Sequence, residues 1–242
     1  MSISQATLEK LAQFDTPTIC NAIELFEVRP NHVGYMDARI RAAFPEMSPM
    51  VGWAVTSSFR AAAQPVAGSA YGSFDEQLAL CAAQPGPSII VFQDLDDPAV
   101  AATFGEVMCS TYQAFGAAGL VTSGAGRDLE QVRALGFPVF TGGTICSHGY
   151  CHWLDLGSPV RVGGLTITTG DLLHGDANGV TSVPLDVADE LPDVAAEVVA
   201  AEEIVIGYNK APGAKSRAEL AERMAAMKSA LAQLRKRVSR AR

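Results

Sequence analysis

Between Ser88 and Gly143 the chain alternates two kinds of hydrophobic pattern, and this constrains the fold more than any other feature. SIIVFQDL (88–95) is an almost unbroken apolar run, and AGLVTS (118–123) and FPVFTGG (137–143) are shorter ones. Runs apolar on both faces suit strands of a sheet that is covered on both sides. Between them lie FGEVMCSTYQAFGAAG, a loop leading into a helix, and LEQVRALG, a helix with Gly136 as its stop. Asp94, Asp96, Asp97 and Pro98 form a short loop after the first strand, and GAGRD is expected to be a turn. A β-α-β-α-β alternation of this kind predicts an α/β fold with neighbouring parallel strands.

The flanking segments complete a plan. Leu8, Leu11 and Ala12 share one face of an N-terminal helix. Asp15-Thr16-Pro17 reads as an N-cap and first turn leading into the helix TICNAIELF. Residues 29–50 are rich in Pro, Met and Gly and are expected to be loop. VGWAVTSSF (51–59) alternates like a strand, and SFDEQLALCAAQ (73–84) is a helix with Asp75 and Glu76 at its positive end. From Ser158 to Pro184 short strands are punctuated by Gly-Gly, Thr-Gly-Asp and Asn-Gly, a hairpin pattern. Two helical stretches separated by Pro212-Gly213 end the chain. The plan is a domain over residues 1–190 and a C-terminal helical arm over 191–242.

Composition narrows the function classes. The chain has 242 residues, 48% of them hydrophobic, enough to bury a full core. A net charge of -8 argues against a nucleic-acid partner, which calls for a basic face; the basic end LRKRVSRAR reads as cations at a helix C-terminus. No apolar run approaches the ~20 residues that span a membrane, and the first residues form an amphipathic helix rather than a secretion signal. Five cysteines (Cys20, Cys81, Cys109, Cys146 and Cys151) show neither a CxxC pair nor zinc spacing. Reduced thiols and a soluble, cytoplasmic protein are expected.

The candidate chemistry lies in GEVMCSTYQAFGAAGLVTSGAGRD (105–128). If the strands SIIVFQDL and AGLVTS are neighbours, the segments that follow them emerge at one edge, where α/β folds bind ligands. The backbone N–H groups of Gly105, Glu106, Val107 and Met108 at a helix start would then face Arg127 and bind a small carboxylate between them. Asp128 could ligate Mg²⁺ or Mn²⁺ directly, and Glu106 directly or through water. The bland alternative is a surface helix cap with a local ion pair, and the two readings stand open on the residues alone. His148 and His152, four apart, would pair on a metal only in a helix, which Gly149 argues against. His174, Asp176, Asn178 and Gly179 fit a tight turn. Cys109 and Cys146 are expected to be buried small apolar residues. Gly124-x-Gly126 lacks the rest of a dinucleotide fingerprint.

Taken together, GE, GAAGLVTSGAGRD, PVFTGG and PVRVGGLTITTGDLLHGDANGVTSVP resemble the RraA-like family, and FDTPTICNAI and VGWAVT extend the resemblance over most of residues 8–185. The family's element is an acid, twenty intervening residues and Arg-Asp, as Glu106 and Arg127-Asp128 are spaced here. The resemblance implies an α-β-β-α sandwich of the swivelling β/β/α type, a homotrimer or homohexamer, and an active site at a subunit interface. It implies a class II pyruvate aldolase that cleaves 4-hydroxy-4-methyl-2-oxoglutarate-like substrates or decarboxylates oxaloacetate. Asp128 would hold the dication, Arg127 the substrate's carboxylate and keto oxygen, and the amides of 105–108 would assist. Glu106, expected to be catalytic by positioning a metal-bound water that accepts or returns a proton, stands where those aldolases carry Asp. Glu202 or Glu203 of a neighbouring subunit could add a carboxylate, and the CSHGYCHWLDLG segment departs from the simplest aldolase pattern. The other classes to separate are a regulator that binds a ribonuclease, as some relatives do, and a metal-dependent lyase or hydratase acting on another oxyacid. Loops at 29–50, 60–72 and 144–156 are expected to form the pocket walls.

Overall fold

The computed structural model describes residues 3–66 and 74–241. In chain order its elements are α1 (Gln5–Leu11), α2 (Thr16–Phe26), β1 (Arg41–Ala42), β2 (Met50–Arg60), α3 (Phe74–Ala82), β3 (Ser88–Asp94), β4 (Ala102–Phe104), α4 (Glu106–Ala114), β5 (Ala117–Thr122), β6 (Ala125–Gly126), α5 (Leu129–Ala134), β7 (Val139–Thr141), β8 (Gly143–Thr144), β9 (His152–Leu154), β10 (Val160–Val162), β11 (Leu165–Ile167), β12 (Leu172–Asp176), β13 (Gly179–Val183), α6 (Leu191–Lys210) and α7 (Arg217–Val238). The expected loop at 29–50 is interrupted by the two residues of β1 and a bridge at Tyr35, and ends at Met50, where β2 begins; the expected loop over 60–72 lies partly outside the described residues.

The main sheet runs β1-β7-β5-β3-β2-β12-β13, with β9 on the far end of β2. The pairs β2–β3, β3–β5 and β5–β7 are parallel, as the alternation of patterns requires, and the two predicted strands SIIVFQDL and AGLVTS are neighbours. The hairpin β12–β13 then adds antiparallel to β2. The segment from Tyr35 to Ala42 joins the two outer strands: Tyr35 bridges Thr181, the Met36 N–H donates to the Val180 carbonyl at 2.9 Å, and Arg41 pairs with Thr141. The sheet is thereby nearly closed, and few strand-edge groups are left to seek a partner.

Strict alternation divides the core. Val55, Ile90, Phe92, Leu120 and Val139 face the helical layer of α3, α4 and α5, while Ala54, Ile89, Val91, Val121 and Phe140 face the inside of the curled sheet, where Val160, Val162 and Ile167 of the β10–β11 hairpin fill the space. At the other end, Val51, Trp53, Leu172 and Val183 pack under α1, α2, α6 and the last turn of α7. Each large side chain buried in this way contributes roughly 1.5–3 kcal/mol. The α/β class read from the sequence is therefore the observed one.

Two local expectations need correction. Ala125–Gly126 is not simply a turn; it is a strand of a second, three-stranded parallel sheet, β4-β6-β8. His174 is not in the turn but inside β12, fully buried. Only Asp176–Gly179 forms the turn, with the Asn178 N–H donating to Asp176 Oδ1 at 2.8 Å. The His174 ring ties the sheet to the α1–α2 corner. Nε2 contacts the Leu11 carbonyl at 3.1 Å, so it carries the proton, and Nδ1 accepts from the Thr16 hydroxyl at 2.9 Å. Burial pushes the imidazole below its ordinary pKa, against the opposing pull of Asp176 and Asp15. Below an unfolded-state pKa of about 6.5 the unfolded chain takes up a proton that the folded chain refuses. Stability is thus full above that pH and falls as pH drops, by at most about 1.4 kcal/mol per pH unit. Asp94 works the other way, because burial raises it to about 6 and the folded state protonates first. The check is therefore a difference: urea midpoints from pH 8 to pH 5 should fall more steeply in the native protein than in His174→Gln, and equal slopes would remove this role for His174.

Candidate functional site

The small parallel sheet builds the site. After β3 and β5 leave the main sheet, the chain re-enters register in β4 and β6, which pair through Ala102 with Ala125 and Phe104 with Gly126. Gly105 and Glu106 follow the end of β4, and Arg127 and Asp128 follow the end of β6. Parallel strands that end together deliver the residues after them to one edge, so two segments twenty residues apart meet. The Arg127 N–H donates to the Phe104 carbonyl at 3.1 Å and the Ile145 N–H to the Gly126 carbonyl at 3.1 Å, which fixes this edge from both sides.

Two glycines make the approach possible. A Cβ on Gly126 would lie 2.1 Å from Cζ of Phe104, so the ring can cover the strand only because no side chain is there. A Cβ on Gly105 would lie 2.5 Å from Asp128 Oδ2 and 3.1 Å from Arg127 Nε. Gly105 is extended, with φ at -156°, so its absent side chain is a matter of space rather than backbone strain.

Asp128 has an unusual posture. Its backbone is left-handed, φ 54° and ψ 39°, at the start of α5, and its carboxylate makes no capping bond to that helix. Instead Oδ2 accepts from the Glu106 N–H at 3.1 Å and so caps the neighbouring helix α4. The same oxygen lies 3.7 Å from Arg127 Nε. Left-handed backbone costs a non-glycine residue about 1–2 kcal/mol, with Asp and Asn the best tolerated, and a charge-assisted bond to a free helix-end amide offsets part of that cost. Of the amides expected to meet a ligand, that of Glu106 is engaged by Asp128, whereas Val107 and Met108 are first-turn residues with no carbonyl behind them in the helix.

Phe104, Gly105, Val107, Met108 and Arg127 line one cavity of about 220 Å³. Arg127 is about one third exposed there. The Glu106 side chain points to solvent. Ala102, His148 and Cys151 complete the lining; His148 stands in a loop and not on the helix that a metal pair with His152 would need, and its segment is the one that departs from the aldolase pattern. No residue of 29–50 lines this cavity. Cys109, directly beneath, is fully buried, and its thiol is held far above its ordinary pKa by burial and by Asp128. It is the expected apolar filler. Cys146 is exposed, contrary to expectation, because it follows the edge strand β8. Glu202 and Glu203 lie on α6; Glu202 accepts from Asn21 at 3.3 Å and lines a separate groove between α2 and α7. Within one protomer neither joins the Arg127 cavity.

Hard dications take oxygen ligands, and Mg²⁺ is commonly held by one or two carboxylates with several waters retained. Asp128 suits this role, being partly exposed with Oδ2 pinned and Oδ1 left over. Among the described residues no three His, Cys, Asp or Glu side chains gather at one point, so the donor set fits a dication held largely by water. It does not fit zinc, which takes four nitrogen or sulfur ligands in closed sites.

The geometry meets an independent sequence match. The family model described as RraA-like, Aldolase/RraA, matches residues 16–182, from α2 through β13. The chain belongs to the RraA-like family. A Halalkalibacterium halodurans protein named "Putative 4-hydroxy-4-methyl-2-oxoglutarate aldolase" is 35% identical over 107 residues, 44% of this chain and 50% of that protein. The matched stretch thus spans half the length of that relative. Among solved structures, an uncharacterized protein from Pseudomonas syringae pv. tomato has a TM-score of 0.72 at 24% identity, over 93% of this chain and 95% of that one. Streptomyces coelicolor RraAS2, described as an unusual member of the RNase ES inhibitor RraA protein family, has a TM-score of 0.67 at 23% identity, over 84% and 96%. Likeness at these identities establishes a shared RraA-like fold. The helices α6 and α7 lie beyond the stretch matched by the family model.

Proposed function

We propose that the chain is a divalent-metal-dependent carbon–carbon lyase acting on a small 2-oxo acid. The observation that carries this is one cavity in which Arg127 lies beside the first turn of α4, with the Asp128 carboxylate, itself outside the lining, pinned to the Glu106 N–H at the start of that helix. Arg127 receives the substrate's C1 carboxylate and C2 oxygen through a planar fork. The Val107 and Met108 amides add the positive end of a helix. Asp128 would hold Mg²⁺ or Mn²⁺, with Glu106 positioning a water. Such an ion, when bound, supplies Lewis-acid stabilisation of charge at the keto oxygen.

When the C3–C4 bond breaks, an enolate forms on the C2 oxygen, and Arg127 provides fixed positive charge at that atom. Retro-aldol cleavage and oxaloacetate decarboxylation share this enolate, so one site serves both reactions. The name of the halodurans relative supports the aldolase assignment. We further infer a homotrimer or homohexamer in which Glu202 or Glu203 of a neighbouring subunit approaches the cavity, and a cytoplasmic location, in keeping with the absence of a disulfide among the described cysteines. No described helix is long and apolar enough to cross a membrane.

Pyruvate release tests the reading. With Mg²⁺ or Mn²⁺ supplied, the protein should release pyruvate from 4-hydroxy-4-methyl-2-oxoglutarate and from oxaloacetate. EDTA should abolish both activities and either dication restore them. EDTA-resistant turnover would end the metal assignment. Absence of turnover on both substrates, with ribonuclease binding in a pull-down, would favour the regulator class instead.

A further inference from the structure

We propose that His148 is the general base of the retro-aldol reaction, accepting the proton of the substrate's C4 hydroxyl; this rests on the lyase reading above. His148 lines the cavity that holds Arg127 and the first turn of α4. Its Nδ1 lies 2.8 Å from the Gly149 carbonyl oxygen. A carbonyl only accepts, so Nδ1 carries the proton of the neutral ring and Nε2 keeps its lone pair. Nε2 has no partner among the described residues. A backbone carbonyl thus sets the tautomer that a base requires.

The ring is exposed, yet its segment is clamped on both sides. The Ala102 N–H donates to the Ser147 carbonyl at 2.8 Å, the Tyr150 N–H to the Ala61 carbonyl at 3.1 Å, and the Ile145 N–H to Gly126 at 3.1 Å. Gly149 is left-handed at φ +53°, and a Cβ there would lie 2.8 Å from the Ala61 carbonyl oxygen. Such anchoring of a surface residue is what positioning for proton transfer needs. The rest of the lining supplies no competing base: Phe104 and Met108 are apolar, Arg127 has no acceptor, and Cys151 is buried at the end of the clamped segment.

The step balances as follows. Nε2 takes the O–H proton of the C4 hydroxyl, and the oxygen's electron pair forms the C4 carbonyl. The C3–C4 bond breaks, its pair becoming the C2–C3 double bond as the C2 oxygen gains charge beside Arg127. C3 then takes a proton from water at the open mouth, and the proton on Nε2 neutralises the resulting hydroxide. Decarboxylation of oxaloacetate has no hydroxyl to deprotonate and does not need the ring.

The two reactions therefore separate the roles. In the full-length protein, His148→Ala should lose roughly 10²-fold or more of retro-aldol cleavage of 4-hydroxy-4-methyl-2-oxoglutarate and far less of oxaloacetate decarboxylation, so that the ratio of the two rates falls, while a thermal melt matching the native protein's checks folding. Added imidazole should restore part of the aldol activity. Native aldol cleavage in His148→Ala would overturn the proposal, as would a parallel loss of both reactions without imidazole rescue. Arg127→Ala distinguishes the underlying reading: it should lose both reactions, and its leaving both intact would remove the lyase assignment itself.

Discussion

Arg127→Lys should lower kcat/KM for pyruvate release by roughly 10²–10³-fold on either substrate, equivalent to about 3–4 kcal/mol of transition-state stabilisation. Charge is conserved in this substitution, so the loss isolates geometry. The guanidinium offers two parallel donors to a carboxylate and its neighbouring keto oxygen, whereas an ammonium is a compact, strongly hydrated point charge. The substitution should leave the fold almost untouched. Arg127 is about one third exposed, and its backbone N–H, which any residue supplies, makes the bond to Phe104. An exposed substitution of this kind shifts stability by at most about 0.5 kcal/mol. Steady-state kinetics beside a thermal melt will check it, and a lysine variant with native kcat/KM would show that the fork has no part in the reaction.

Much of this was legible in the sequence because two physical codes agree over residues 88–141. Unbroken apolar runs mark strands covered on both faces, and Gly136, with φ at 68°, ends α5 where a helix stop was expected. Asp15 caps α2 as read, its side chain accepting from the Thr18 N–H at 2.8 Å. The small sheet β4-β6-β8 was not legible. Its strands are two or three residues long, too short for period-two alternation to register, and glycines occupy positions where side chains would announce a strand. His174 was misread for a related reason. It stands next to turn residues, but its partners Leu11 and Thr16 lie some 160 positions away in the chain, and long-range satisfaction of a buried ring leaves no local signature. His148 was discounted as half of a helical metal pair. Its place in the cavity depends on Gly149, and a left-handed glycine directs the chain without revealing where it leads.

Asp128 is the position at which fold and chemistry can be pulled apart. Asn tolerates left-handed backbone about as well as Asp, and its side-chain oxygen can still accept from the Glu106 N–H. Asp128→Asn should therefore melt within a few degrees of the native protein. It should nevertheless lose roughly 10²-fold or more in pyruvate release, because a dication held mostly by water depends on the one negative charge removed. Asp128→Ala adds two structural costs, the strain of alanine at φ 54° and an uncapped α4 amide, together about 2 kcal/mol. That corresponds to a melting temperature lower by roughly 4–8 °C for a chain of this length. Mn²⁺ titration followed by electron paramagnetic resonance gives a readout besides activity: both variants should bind the ion more weakly, by similar factors. If the asparagine variant bound Mn²⁺ like the native protein and turned over normally, Asp128 would be a helix cap and nothing more, the bland alternative that Arg127-Asp128 carried in the sequence. If the alanine variant lost stability while the asparagine variant lost only turnover, one carboxylate would be shown to serve both purposes, closing the edge of α4 with one oxygen and leaving the other for the metal.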